Sequence, residues 1–397
     1  MGKLVGSFGT MKKPHVLILG GGAALLLLFY PVLESQSQSQ SRGRDALSAL
    51  PRYVNAPADN PLSSDKVVLG KLLFWDPILS GNRDVACASC HHPRFGYAEN
   101  RDISVGVNGV GLGESRRFAS PNAIPFVKRN SQTLLNVGFN GINRAGQYNP
   151  AAAPMFWDMR VTSLETQALE PIKAFEEMRG NAYPEDGAVD GVVARLNAVP
   201  EYRALFAKAF GDENAVNGAN LGKALSAFER SLLANNSPFD RYMAGDANAM
   251  TAIQIQGMRR FERIGCSNCH NGPMFSDYEP HVLGIPDNEK LPESDRGIKD
   301  RPYAFRTASL RNLAYTAPYM HNGAFRTLGE VLKFYDHAPQ NPNVTRQQVD
   351  RRVRRLRDPD DEASVLIAFL GALNDDSYDK TIPSRVPSGL TPGGRIQ

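Results

Sequence analysis

The sequence predicts a mainly α protein built as two modules with long loops. Three observations carry that reading. Apolar residues recur at i, i+3/i+4 and i+7 in separate stretches, and no alternating strand pattern reaches a useful length. Segments rich in Gly, Asn and Pro, above all 93–155 and 271–325, separate those stretches and read as irregular backbone. One five-residue pattern, Cys87-Ala88-Ser89-Cys90-His91, returns in the other half as Cys266-Ser267-Asn268-Cys269-His270, and the two copies use every cysteine.

The chain of 397 residues is too long for one small domain. With 42% hydrophobic and 22% charged residues it can bury an ordinary globular core. A net charge of only +4 points away from nucleic acid, although a moderately basic surface suits an acidic protein partner.

In chain order, Lys12 and Lys13 precede an apolar run from Val16 to Tyr30. A positive flank followed by such a run reads as an export signal, or as an uncleaved membrane anchor, because no small-residue cleavage site follows. Either form places the body outside the cytoplasm, in the periplasm. The Ser/Gln run 35–41 has nothing to bury and reads as a polar tether. Residues 1–44 are therefore set apart from the fold.

Val67, Val68, Leu69, Leu72, Leu73 and Phe74 predict a helix leading to the first motif. Thr162-Ser163-Leu164-Glu165 reads as a helix start, and Val192, Val193, Leu196 and Val199 continue the helical pattern. Leu221, Ala224, Leu225, Phe228 and Leu232 form a clear stripe that ends at Asn235-Asn236-Ser237-Pro238, which marks a boundary between modules 45–235 and 236–380. Ile253, Met258, Phe261 and Ile264 run directly into the second motif. Leu328, Val331, Leu332 and Tyr335 share a face, and Val365, Leu366, Phe369, Leu370 and Leu373 close the second module. Residues 381–397 form a tail.

Cys-x-x-Cys-His is the attachment pattern of c-type haem: two thiols bond the vinyl groups, and the adjacent His reaches the iron. Structural disulfides, a redox dithiol or half a zinc site do not require the His that follows both copies. The chain thus carries two covalent haem c groups, ligated by His91 and His270, in two cytochrome c-like domains. No histidine occurs between His92 and His270, so the first iron is a candidate for an open sixth position. Met155, Met159 and Met178 are other potential ligands there, while His92 suits a surface or propionate contact. For the second iron, Met274, Met320, His321, Tyr335 and His337 are available. Tyr335 lies on the apolar helical face and His337 lies away from it, so Tyr335 is either a ligand or a core tyrosine.

Further blocks resemble the bacterial di-haem cytochrome c peroxidases and their relatives of the MauG type. They are Asn130-Ser131-Gln132-Thr133, Phe156-Trp157-Asp158-Met159-Arg160, Gln167-Ala168-Leu169-Glu170-Pro171, Glu177-Met178, Leu310-Arg311-Asn312 and Thr316-Ala317-Pro318-Tyr319-Met320-His321-Asn322-Gly323. The resemblance implies that Trp157 sits between the haems as an electron relay. It implies that Glu177 is the distal acid–base group, with Glu176 left to solvent, and that Gln167 and Pro171 line the distal pocket. It also implies that Asn130, Thr316 and Pro318 hold a calcium ion through oxygens suited to a hard cation. Met159 stands where the family has Gly. Tyr335 stands where typical peroxidases of the family have Met and MauG-type proteins have Tyr, which places the chain nearer the MauG type.

The reading is an exported di-haem oxidoreductase that activates hydrogen peroxide at the His91 haem and stores oxidising equivalents toward His270 and Tyr335. Its partner is either an electron donor (a small cytochrome c or cupredoxin) or a protein whose residues are oxidised. The alternative is a di-haem electron-transfer cytochrome without peroxide chemistry. The run Arg351-Arg352-Val353-Arg354-Arg355-Leu356-Arg357 reads first as a solvated helix face.

Overall fold

The computed structural model describes residues 47–397, so the expected export segment and Ser/Gln tether lie outside the described residues. Among the described residues, no helix is long and apolar enough to cross a membrane.

The first half is organised by two helices. Helix α1 (Ser64–Trp75) starts where the Ser63 hydroxyl accepts from the Lys66 amide, and buries Leu69, Leu73 and Phe74 completely while Val68 stays 52% exposed. A one-turn α2 (Cys87–Cys90) carries the first motif. Two further single turns, α3 (Leu164–Gln167) and α4 (Glu170–Lys173), lead to α5 (Ala188–Ala198), α6 (Pro200–Phe210) and α7 (Gly218–Ser231). The stripe Leu221, Ala224, Leu225 and Phe228 of α7 packs on α1, each large apolar side chain contributing about 1.5–3 kcal/mol by leaving water.

The second half begins with α8 (Pro238–Met243), capped reciprocally by Ser237 and Asp240. Helix α9 (Ala252–Ile264) crosses α11 (Ala363–Gly371), and Phe239, Phe261, Phe275 and Phe369 meet edge-on in the core between them. Between these lies α10 (Leu328–His337), which opens on a Thr327/Glu330 capping box. The block Leu310-Arg311-Asn312 acquires a structural reason here. Arg311 makes two 2.9 Å bonds to the buried Asp240 carboxylate, and its Nε donates to the Pro273 carbonyl.

Strands are short. β1 (Gly109–Val110) pairs antiparallel with β2 (Arg117–Phe118), and β3 (Pro154–Met155) with β4 (Val161–Thr162). A four-stranded sheet has the order β5 (Pro280–Val282), β8 (Ala304–Arg306), β6 (Gly297–Ile298), β7 (Arg301–Pro302), with only β6–β8 parallel. The observed fold is helices and long loops with this small sheet added.

Four apolar clusters form the interior. The largest draws on Leu69 to Ala234, the next on Phe239 to Leu373 together with Leu47, and the third on Val282 to Val353. The fourth joins Leu50, Phe139 and Ile142 to Met274 and Tyr278, so it contains residues of both halves. Residues 381–397 pack back on the first half. Val386 enters its core, Gly393 N donates to Trp75 O at 2.7 Å, and Arg395 N donates to Asp84 O at 3.1 Å.

Candidate haem-binding active site

Both motifs fold alike. The amide of His91 donates to Cys87 O, and that of His270 to Cys266 O, each at 2.9 Å, which wraps the two thiols and the imidazole into one turn. The second turn is reached from α9 through Gly265, whose φ of 107° turns the chain sharply toward Cys266. In each motif Nδ1 of the imidazole meets a backbone carbonyl, Tyr97 O at 3.1 Å for His91 and Phe275 O at 3.0 Å for His270. That bond orients the ring so that Nε2 can serve a metal, although in His91 the Ser131 hydroxyl also lies 3.3 Å from both ring nitrogens. Burial lowers the pKa of both imidazoles, favouring the neutral form a metal requires.

The four cysteines are unbridged. Burial pushes the thiols of Cys87 and Cys266 up to about 12, the reverse of the depressed value of a redox dithiol. One continuous cavity of about 650 Å³ is lined by both motifs.

The other expected site residues converge on this cavity. Gln167, Pro171 and Glu177 line it, as do Trp157 and Tyr335. Glu177 sits in a π-helical turn, Phe175–Arg179, whose wider winding is typical of functional bulges. Its carboxyl is pushed up to about 7, by burial first and the neighbouring Glu176 carboxylate second. Glu176, expected in solvent, is half-buried and lines the same cavity from the same π turn as Glu177. Gly106 supports this turn: a Cβ there would lie 2.1 Å from Glu176 O and 2.4 Å from Glu177 O.

Trp157 is fixed by its Nε1 donating to Asn130 O at 3.0 Å. His321 meets it edge-on, with ring centroids 6.5 Å apart, and stacks on Phe305 at 3.7 Å. Arg129 lies over Phe305 and pairs with Asp158 and Asp295, so the indole stands in a braced group. Asn130 Nδ2 donates to Arg101 O and Asp102 O. Thr316, Pro318 and Asn130 line the same cavity.

Toward the second motif, Tyr335, Met274, Met320 and His321 line the cavity. Tyr335 is half-buried, and desolvation raises the pKa of its hydroxyl. His337 is exposed, with Nδ1 against Lys333 O. Of the first-half methionines, Met155 and Met178 line the cavity, the Met155 sulfur accepting from Asn140 Nδ2 at 3.5 Å. Met159 lies elsewhere, beside Asn268 and Tyr278, and takes φ 56°. This left-handed backbone explains why glycine suits the position; methionine there costs about 1 kcal/mol. His92, expected at the surface or a propionate, is 7% exposed and packs edge-on against Trp75 of α1.

A family model for di-haem cytochrome c peroxidase matches residues 64–248. The chain is 33% identical over 387 residues to cytochrome-c peroxidase IdrP1 of Pseudomonas sp. strain SCT, covering 88% of this chain and 91% of that protein. It is 31% identical over 374 residues to the methylamine utilization protein MauG of Methylorubrum extorquens, covering 92% and 95%. The chain belongs to the di-haem cytochrome c peroxidase family. A solved MauG-like protein associated with microbial copper homeostasis superposes with a TM-score of 0.65 at 28% identity, covering 83% of this chain and 95% of that one. The diheme peroxidase BthA of Burkholderia thailandensis shares the fold, with a TM-score of 0.61 at 23% identity over 88% and 98%.

Membership makes the protein a di-haem c-type oxidoreductase of the peroxidase and MauG kind. The residues present fit two haem c groups: oriented imidazoles, paired thiols and a shared apolar-walled cavity.

Three buried ionisable groups escaped the sequence reading. Glu229 of α7 lines the cavity, is 5% exposed and leaves Oε2 without a partner, while the adjacent Arg230 is taken by Glu165. Its only sequence signal is an acid embedded in the Leu225–Leu232 stripe. Glu99 is buried with its carboxyl pushed up to about 7 by burial. His281 of β5 lines the cavity and lies 3.1 Å from Asp277 and 2.8 Å from Asp350.

Proposed function

We propose that this family member is of the MauG type, activating hydrogen peroxide at the His91 side and using the oxidising equivalents to oxidise residues of a protein partner. The observation that carries this reading is Tyr335, directed into the shared cavity while His337 faces solvent. A bound haem supplies the redox centre that exchanges electrons with peroxide and holds an oxidising equivalent.

This chain's residues supply the rest. Glu177, titrating at about 7, takes a proton from peroxide and returns it to the departing oxygen as water. Gln167 and Pro171 shape the space above His91. Trp157, held by Asn130 O, relays electrons between the His91 and His270 sides. Tyr335 would hold the haem on the His270 side through its phenolic oxygen, and as a phenolate it would disfavour the reduced state there. Asn130, Thr316 and Pro318 hold one calcium ion at the junction; the Asn130 amide nitrogen is engaged by carbonyls, which leaves its oxygen for a cation. Residues 45–235 and 236–380 form the two haem modules, and an N-terminal signal or anchor delivers them to the periplasm.

The relatives named cytochrome-c peroxidase favour a second reading, reduction of peroxide with electrons from a small cytochrome or cupredoxin. EPR of the ferric protein before and after peroxide, with turnover against reduced cytochrome c, decides between them. A high-spin signal lost on peroxide addition, with negligible cytochrome oxidation, supports the MauG-type reading. Rapid turnover supports the second reading, and two low-spin irons inert to peroxide refute both. Tyr335→Phe should alter the low-spin component, and an unchanged spectrum removes Tyr335 as ligand.

A further inference from the structure

Behind the proximal histidine of the first motif stands a line of tyrosines that the chemistry above does not use. The His91 imidazole is bonded through Nδ1 to the carbonyl of Tyr97. The Tyr97 ring is fully buried and meets that of Tyr378 edge-on at 6.0 Å and 67°. Tyr378, 6% exposed, meets Tyr315 in the same manner at 6.2 Å and 68°. Tyr315 is half-buried, seated against Gly96, and ends the line at the surface. On the inner side, Tyr97 packs on Phe74, which lines the cavity.

The hydroxyls differ along this line. Tyr97 donates to Asp379 O at 2.7 Å and Tyr378 donates to Pro93 O at 3.1 Å. A backbone carbonyl accepts a hydrogen bond but cannot take the proton. A phenol that loses an electron becomes strongly acidic and settles as a neutral radical only where its proton can leave. The two inner tyrosines therefore pass an oxidising equivalent without retaining it, whereas Tyr315, with access to solvent, can release its proton.

We propose that Tyr97, Tyr378 and Tyr315 form a relay that carries an oxidising equivalent from the His91 side to the surface, where Tyr315 is the oxidised residue. The proposal rests on peroxide activation at the His91 side. Reduction of one hydrogen peroxide to two waters takes two electrons and two protons. The relay supplies one electron from the Tyr315 phenol, whose proton passes to water and leaves a neutral phenoxyl radical at Tyr315; the second electron and proton come from the protein partner oxidised in the proposed reaction. The ring contacts of this line, Phe74–Tyr97, Tyr97–Tyr378 and Tyr378–Tyr315, do not include Trp157.

The test uses the di-haem protein containing ring-deuterated tyrosine, mixed with hydrogen peroxide and freeze-quenched for EPR. A radical signal narrowed by the deuterium is expected, falling at least tenfold in Tyr315→Phe and in Tyr378→Phe. Tyr183→Phe, outside the line, should leave it unchanged. Both relay variants should keep the ferric absorption spectrum and its bleaching by peroxide, which separates a lost relay from a lost haem site. A signal that persists in Tyr315→Phe, that is insensitive to tyrosine deuteration, or that is absent while peroxide still alters the haem spectrum overturns the relay alone. A haem spectrum indifferent to peroxide overturns the activation reading and the relay with it.

Discussion

Glu177→Gln tests the acid–base assignment quantitatively. The Glu177 carboxyl titrates at about 7 because burial and Glu176 both disfavour its charged form. A raised carboxyl gains base function as pH rises through that value. About half of the molecules carry the ionised base at pH 7, and about 1% at pH 5. The bimolecular rate constant for reaction with peroxide should therefore fall about tenfold per unit on the acid side. Glutamine keeps the shape and removes the base. At pH 8 it should lower the rate constant by about 10²–10⁴. By pH 5 the gap should narrow by about two powers of ten, since the wild type has lost its own base. Stopped-flow absorption of the haem bands between pH 5 and 9 measures both curves. Rates within twofold of wild type at pH 8, or an acid limb near pH 7 that survives in the glutamine variant, would refute the assignment.

Gly106→Ala places a methyl against Glu176 O and Glu177 O and must shift the π turn, so peroxide reactivity should drop about 10²-fold with the ferric spectrum retained. Glu229 is pushed up to about 8 by burial, so the stability it contributes is complete below its unfolded value and is lost as pH rises through about 8. Glu229→Gln should accordingly melt with the wild type at pH 5 and be more stable by about 1–3 kcal/mol at pH 9 in calorimetry. Arg311→Met strands the buried Asp240 carboxylate and should cost about 3–5 kcal/mol in urea unfolding, while Asp240→Asn with Arg311→Met should recover part of that loss. A single variant as stable as wild type would remove that ion pair from the fold's supports.

The parts legible in the sequence are those set by local spacing. The haem motifs, the α7 stripe, and the opposite orientations of Tyr335 and His337 on α10 all follow from chain-adjacent geometry. What escaped depends on distant segments or on departures from regular winding. Glu176 reaches the cavity from a π turn, a winding that an α-helical period does not reveal. His92 is buried because Trp75 arrives from α1. The strands of the four-stranded sheet are two or three residues long, too short to show alternation. Glu229 was masked by the apolar stripe that surrounds it.

The C-terminal segment bears on the order in which the molecule is completed. Ser89, between the two thiols of the first motif, donates through its hydroxyl to Gly393 O at 2.8 Å. The backbone of Gly394 bridges to Val85 just before the motif. The first haem-attachment loop to be synthesised is thus covered on one side by a residue 304 positions further along the chain. During biogenesis the first motif therefore stays uncovered by this segment until residues 393 and 394 have been made.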